Sequence, residues 1–161
     1  MPVAIVNSQP LRVSTRRLRQ CVRAILNAEG APSAEVSILL ADDETVRQLN
    51  RDYRFQDRPT DVLSFSQREC HPGTPPLRVC PGTPEPLGDV AISVETAARQ
   101  ASVHGVDLAE ELALLGAHGV LHLLGYDDTS EAGAARMRRR EALALAPKPH
   151  PMLPRPAQRE G

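Results

Sequence analysis

The sequence predicts an α+β domain with α/β-like alternation, built from four short strands and about five helices around one small sheet. Three observations carry this. Short β-type runs alternate with longer segments of helical period. Strands separated by helices need crossover connections, which implies parallel pairing for some neighbours. Finally, 161 residues suit one domain with a single core.

Val3 to Val6 reads as the first strand. Ser14 opens a helix running to about Ala28 and stopped by Gly30, with an apolar stripe of Leu18, Cys21, Val22, Ile25 and Leu26. Arg16, Arg17, Arg19 and Arg23 on its other side read as a solvated face. Glu35 to Ala41 is the second strand. Asp42 or Asp43 caps the next helix, which turns Val46 and Leu49 inward and ends near Tyr53. A polar loop closed by Pro59 leads to Thr60–Ser66, a strand by virtue of Val62, Leu63 and Phe65, with Ser64 and Ser66 on one side.

Residues 67–87 contain six prolines and read as a long irregular insertion, unsuited to a helix or a central strand. Cys70, His71 and Cys80 lie in it, but three ligand types without a short paired spacing do not make a second metal site. Gly88 to Val94 is the fourth strand. Glu95 to about His104 is a helix ended by Gly105, and Asp107 caps the following helix. Ser130 to about Ala146 forms the last helix, with Ala134, Met137, Leu143 and Leu145 as its apolar points and Arg136, Arg138, Arg139 and Arg140 as a solvated face. The expected domain is residues 1–146. The proline-rich tail, 147–161, is expected to be disordered and outside the fold.

The chemistry concentrates in Ala117-His-Gly-Val-Leu-His-Leu-Leu-Gly-Tyr-Asp-Asp128. His118 and His122 are four residues apart, so a helix places both imidazoles on one face. Gly125 lets the helix stop and the chain reverse, because glycine tolerates the left-handed conformation. Asp128 can then swing back over the pair. Most histidine pairs at this spacing bind nothing. Here the flanking leucines and valine bury the helix, and buried imidazoles need partners. The segment therefore reads as a His-His-carboxylate metal site at the end of a central helix, with Asp127 as an alternative ligand. The spacing is also that of the metzincin zinc site, except that Gly119 stands where such a peptidase carries its glutamate base.

Composition narrows the function classes. The formal net charge is -1, and Lys148 is the only lysine among many arginines. No apolar run is long enough to span a bilayer, and the N-terminus lacks the charged region and cleavage signal of a secretory leader. Three cysteines at no familiar spacing suggest a reduced, cytoplasmic protein. With two tyrosines, two phenylalanines and no tryptophan, an aromatic base-stacking platform is not expected.

His118-Gly-Val-Leu-His-Leu-Leu-Gly-Tyr-Asp127 resembles the signature of the YbeY family of metal-dependent endoribonucleases, also described as rRNA maturation factors. Leu49-Asn-Arg-Asp-Tyr-Arg54, Pro59-Thr-Asp-Val-Leu-Ser-Phe65 and Gly88-Asp-Val-Ala-Ile-Ser93 match further family segments in the expected order. Together they span roughly residues 3 to 145. The resemblance implies a small, mostly parallel four-stranded sheet flanked by helices. It implies one zinc ion per chain and single-strand-specific cleavage of RNA, in 16S rRNA 3′-end maturation and ribosome quality control. The implied partners are the 16S rRNA precursor and the small ribosomal subunit, with no DNA and no membrane.

Two of the family's three histidine ligands fall on His118 and His122, and the third falls on Asp128. Aspartate is an ordinary zinc ligand. Its negative charge makes harder cations such as Mn²⁺ or Mg²⁺ relatively more acceptable. The family's functional arginine matches Arg54, a residue type that pairs with two phosphoryl oxygens at once. On residues alone, Arg54 reads as an ion pair with Asp52 or Asp57. Gly119 cannot act as a base, and the general base is unassigned. The competing readings are a metal-dependent peptidase and a non-catalytic ribosome-assembly factor with a structural metal.

Overall fold

A computed structural model describes residues 3–56, 60–66, 85–146 and 150–153. The elements run β1 (Val3–Asn7), α1 (Arg16–Ala28), β2 (Ala34–Ala41), α2 (Asp43–Arg54), β3 (Val62–Ser66), β4 (Glu85–Ser93), α3 (Val94–His104), α4 (Leu108–Leu123) and α5 (Glu131–Leu145). The sheet order is β1-β2-β4-β3. The first three of these are mutually parallel, and β3 joins the edge antiparallel to β4. The expected α+β architecture with a mostly parallel four-stranded sheet and five helices is thus the observed one.

Alternation along β2 explains the layering. Val36, Ile38 and Leu40 face a large core shared with α1, α4 and α5. Leu39 and Ala41 face the other way, into a smaller cluster under α2 with Val46, Leu49, Leu63 and Ala91. Helix α4 forms the centre of the larger layer. Ten of its sixteen residues are buried, which is why its sequence is apolar on nearly all sides. It packs against α1, α3 and α5 on its flanks and lies over β3 and β4.

Several expected boundaries shift. The first helix is capped at Thr15 rather than Ser14. Asp42, not Asp43, caps α2, accepting from the Thr45 N–H. Asp43 instead ties α2 to α3, accepting from Ser93, from Thr96 at 2.7 Å and from Arg99 at 2.9 Å. Residues 85–87 were expected to close the irregular loop but belong to central strand β4. Pro86 is tolerated there because the pairing with β2 carries an irregularity between Glu35 and Val36, a place where the missing N–H breaks no regular ladder. The rest of that loop, with Cys70, His71 and Cys80, lies outside the described residues.

Not all the helix arginines form solvated faces. Arg17 pairs with Glu110 at 2.7 Å and donates to the Leu145 carbonyl, and Arg19 donates to the carbonyl of Val3. The reason is that α1 lies between β1 and the α4–α5 pair, so its flanks meet other elements. Leu143, expected inside, is 58% exposed, whereas Glu141 and His150 are buried. The segment from residue 147, expected outside the fold, therefore contributes at least His150 to the packed structure. Residues 147–149 and 154–161 lie outside the described set.

Gly88 is the tightest backbone approach in the sheet. Its φ is +150°, and a Cβ there would meet the Phe65 carbonyl oxygen at 2.4 Å and a Leu123 methyl at 2.9 Å. Backbone cannot step aside as a side-chain tip can. Gly88→Ala is expected to cost roughly 1–3 kcal/mol, by combined strain and overpacking. Thermal or urea unfolding of the purified variant checks this.

Candidate metal centre

Helix α4 ends in a Schellman-type turn. The Gly125 N–H bonds the His122 carbonyl at 3.0 Å, and the Tyr126 N–H bonds the Leu121 carbonyl at 3.0 Å. Gly125 has φ +102°, as its expected role requires. The Tyr126 hydroxyl then donates to Glu29 at 2.8 Å, pinning the turn to the end of α1. The reversal brings Asp128 back over the helix.

The two imidazoles face each other through Nε2 atoms 3.1 Å apart, and Asp128 Oδ2 lies 3.7 Å from each. A tetrahedral zinc ion with bonds near 2.0–2.1 Å separates its ligand atoms by about 3.3 Å. The three observed separations bracket that value. His118 Nδ1 lies 2.7 Å from Glu141 Oε1. With its single proton on Nδ1 toward that carboxylate, the ring turns a lone pair at Nε2 toward His122 and Asp128. This is the carboxylate–histidine–metal arrangement, in which the outer carboxylate sets the tautomer and raises ligand basicity. His118, His122 and Asp128 therefore form a donor set that could hold one divalent cation. Among the described residues, no fourth histidine, cysteine or carboxylate joins the group.

Asp127, the alternative ligand, is otherwise engaged. Its carboxylate accepts from the Thr129 N–H at 3.0 Å and from the Thr129 hydroxyl at 2.9 Å. Those bonds hold its pKa below the ordinary aspartate range. At His118, burial pushes the pKa down. The Glu141 hydrogen bond and charge, helped by Asp128 and Asp61, more than offset this and leave it raised. At His122, burial and the neighbouring His118 prevail, and the pKa is lowered.

Arg54 lines one cavity with His118 and His122, of about 480 Å³, between the β3 edge and α4. Its guanidinium donates to the Ser64 carbonyl and sits 5.8 Å from the Phe65 ring centroid. The ion pair that its neighbours suggested does not form with Asp52, which pairs with Arg51 at 3.3 Å. Asp57 lies outside the described residues. Ser64 also donates through its hydroxyl to the Gly119 carbonyl at 2.9 Å, joining β3 to α4.

Two features escaped the sequence reading. Glu141 stands four residues after Met137 on α5, within its buried stripe. A carboxylate at such a position was the available signal for a partner to a buried base. Glu111 is the second case. It is 1% exposed and meets His104 Nδ1 at 2.6 Å and His150 Nε2 at 3.0 Å. These three also offer metal-type donors within 4.8 Å of one another. However, the Met152 N–H donates to His150 Nδ1 at 3.1 Å, which requires a lone pair there and puts the ring's proton on Nε2. His150 then donates to Glu111 instead of offering it a shared cation. The trio is a hydrogen-bonded latch for residues 150–153.

A mixed four-stranded sheet under a buried helix, ending in an open His-His-carboxylate centre beside an arginine-bearing cavity, defines the class. The sequence matches the family described as Endoribonuclease YbeY over residues 4–147. A protein from Moorella thermoacetica named Endoribonuclease YbeY is 51% identical over 130 residues, covering 80% of this chain and 83% of that one. Another of that name, from Geobacter sulfurreducens, is 43% identical over 143 residues, covering 88% and 90%. The chain belongs to the Endoribonuclease YbeY family. A solution structure of TM1509 from Thermotoga maritima shares the fold, with a TM-score of 0.57 at 21% identity over 88% of both chains. Among the described residues, no helix is long and apolar enough to cross a membrane.

Two outcomes test the centre. Glu141→Gln keeps a hydrogen-bond acceptor but removes the charge behind His118. Zinc affinity is expected to fall about 10- to 100-fold, read by competition with a chromophoric chelator. Asp128→His exchanges a hard oxygen donor for a nitrogen. The ratio of Mn²⁺ to Zn²⁺ affinity, measured by calorimetric titration, should fall.

Proposed function

We propose that the chain is a metal-dependent endoribonuclease acting on single-stranded RNA. By its family resemblance, that activity serves 16S rRNA 3′-end maturation and ribosome quality control on the small subunit, in the cytoplasm. The observation that carries the reading is the convergence of His118, His122 and Arg54 on one polar cavity, with Asp128 Oδ2 3.7 Å from each imidazole.

His118, His122 and Asp128 would hold a divalent cation, zinc or a harder ion, which when bound would supply Lewis acidity and lower the pKa of water. The chain's own residues do the rest. A guanidinium carries five N–H donors in a rigid fork. The bond from Arg54 to Ser64 fixes its plane against β3 and directs the rest of the fork toward the cavity, where two phosphoryl oxygens can be gripped as their charge grows. Glu141 keeps His118 in the tautomer that presents Nε2 to the centre.

The peptidase reading meets a steric obstacle. A Cβ on Gly119 would lie 2.7 Å from a Val90 methyl and 3.2 Å from the Ser64 hydroxyl. The position that carries the glutamate base in a zinc peptidase is pressed onto the sheet and has no room for a side chain. A purely structural metal would favour a shell closed by four protein ligands, against the three described.

Arg54→Ala is expected to reduce cleavage of a single-stranded oligoribonucleotide about 10²- to 10³-fold. Zinc content by elemental analysis should stay at one per chain. Equal cleavage by variant and wild type would refute the role given to Arg54. Casein digestion by the zinc-loaded protein would favour the peptidase.

A further inference from the structure

A second cavity, of about 370 Å³, lies on the far side of His118 from Arg54. His118 and Asp61 line both cavities, so the two meet at the metal centre. They differ in chemistry. The Arg54 cavity is polar and presents hydroxyls, amides and the guanidinium. The second has an apolar wall of Leu114, Leu115, Met137 and Leu153 and a charged margin that includes Asp128, Glu141 and Arg138. Its outer wall is the segment 150–153, held in place by the buried bond of His150 to Glu111. A polynucleotide whose phosphate sits at the centre must send a sugar and a base to either side of it, and an apolar slot with a polar edge suits a flat heterocycle.

The polar edge is specific in its sense. The Gln100 amide donates to Asp61 at 3.2 Å, which leaves its carbonyl oxygen as an acceptor. His104 turns Nδ1 to Glu111, so its proton lies there and Nε2 is an acceptor. Both groups line the cavity. With the carboxylates of Asp61, Glu111, Asp128 and Glu141 also on the lining and Arg138 as its one side-chain cation among the described residues, the edge is dominated by acceptors and matches bases that carry amino donors. Adenine, cytosine and guanine have an exocyclic amino group on the exposed edge. Uracil presents one N–H between two carbonyl oxygens. Stacking is supplied without aromatic residues, by the thioethers of Met137 within and Met152 at the mouth, since sulfur packs favourably against aromatic rings.

We propose that this cavity is a nucleobase subsite for the nucleotide next to the scissile phosphate, selective for amino-bearing bases over uracil. The inference rests on the reading of the centre as one that acts on RNA. Its test uses the full zinc-loaded chain and short 2′-O-methyl oligonucleotides, which cannot be cleaved through the 2′ oxygen. These carry A, C, G, U or an abasic site at one position, and affinity is read by fluorescence anisotropy. Matched all-ribose oligonucleotides report cleavage. The wild type should bind the A, C and G forms about five- to tenfold more tightly than the U and abasic forms. Gln100→Leu, which removes an acceptor, and Ala134→Phe, which fills the cavity from α5, should level that series without changing zinc stoichiometry or abasic affinity. A flat series in the wild type, or a series undiminished in both variants, overturns the subsite. Graded binding without cleavage supports the subsite and sinks the nuclease reading. Cleavage with flat binding does the reverse.

Discussion

The seating of α4 on its neighbours is the constraint on which the rest depends. Two glycines on its inner side allow it. A Cβ at Gly116 would come within 2.2 Å of a Leu18 methyl on α1, and one at Gly119 would strike Val90 of β4. With Gly116 bare the helix packs close against α1; with Gly119 bare it lies close over the sheet, and Ser64 can reach the Gly119 carbonyl. That bond sets β3, and with it the Ser64 carbonyl that steadies Arg54, at a fixed distance from the histidines one turn of helix around. The metal centre and the arginine belong to different elements, and their common cavity exists because α4 is pressed down at these points. Close packing of this kind transmits small volume changes, because interiors have few voids to absorb them.

Two buried carboxylates govern the imidazoles of this layer. Burying an isolated carboxylate is costly, so each needs a donor. Glu141 meets His118, and Glu111 meets His104 and His150. The outcomes differ because of what lies on the far nitrogen of each ring. At His118 the far nitrogen faces His122 and Asp128, a cluster of acceptors that a cation could complete. At His150 the far nitrogen takes a backbone N–H from Met152, and the ring is already satisfied. Similar side chains thus give a candidate metal ligand in one place and a fastening for the chain end in the other.

The elements were legible because their signals are local. Strand alternation in Val36–Leu40, the Asp42 cap, the glycine stops after α3 and α4 and the apolar run of α4 each act within a few residues. So did the His118–His122–Asp128 geometry, since helix period and one turn fix it. Pro86 was misread because its tolerance depends on an irregularity in the pairing with β2, which no local pattern records. Glu141, Glu111 and His150 were missed for a related reason. Their importance arises from a partner 23 residues away in one case and 39 in another. An acid within an apolar helix stripe signals burial, but the sequence does not say which base it meets. Arg54 was an intermediate case, since its neighbours suggested an ion pair and only the fold brings Ser64 and the histidines to it.

Charge accounts for how the departure at Asp128 and the presence of Arg54 fit together. A divalent cation at this centre would face the carboxylate of Asp128 directly and that of Glu141 through His118. The two negative charges cancel the cation's two positive ones. With three neutral histidines, one of those cancelling charges would be missing, and the centre itself would attract a phosphodiester. On the proposed reading the attraction would have to come from elsewhere, because a bound cation is otherwise the largest local charge and sets the electrostatics of its site. Asp61, at the junction of the two cavities, sharpens the requirement. Arg54 is the cationic side chain that shares the polar cavity with the histidines among the described residues. Among the described residues it is anchored to backbone, at the Ser64 carbonyl, and not to a carboxylate. On the proposed reading, an aspartate where the resembled family has a histidine would shift the burden of holding a phosphate from the metal toward the guanidinium, and would make the position of β3 as important to the chemistry as the ligands themselves.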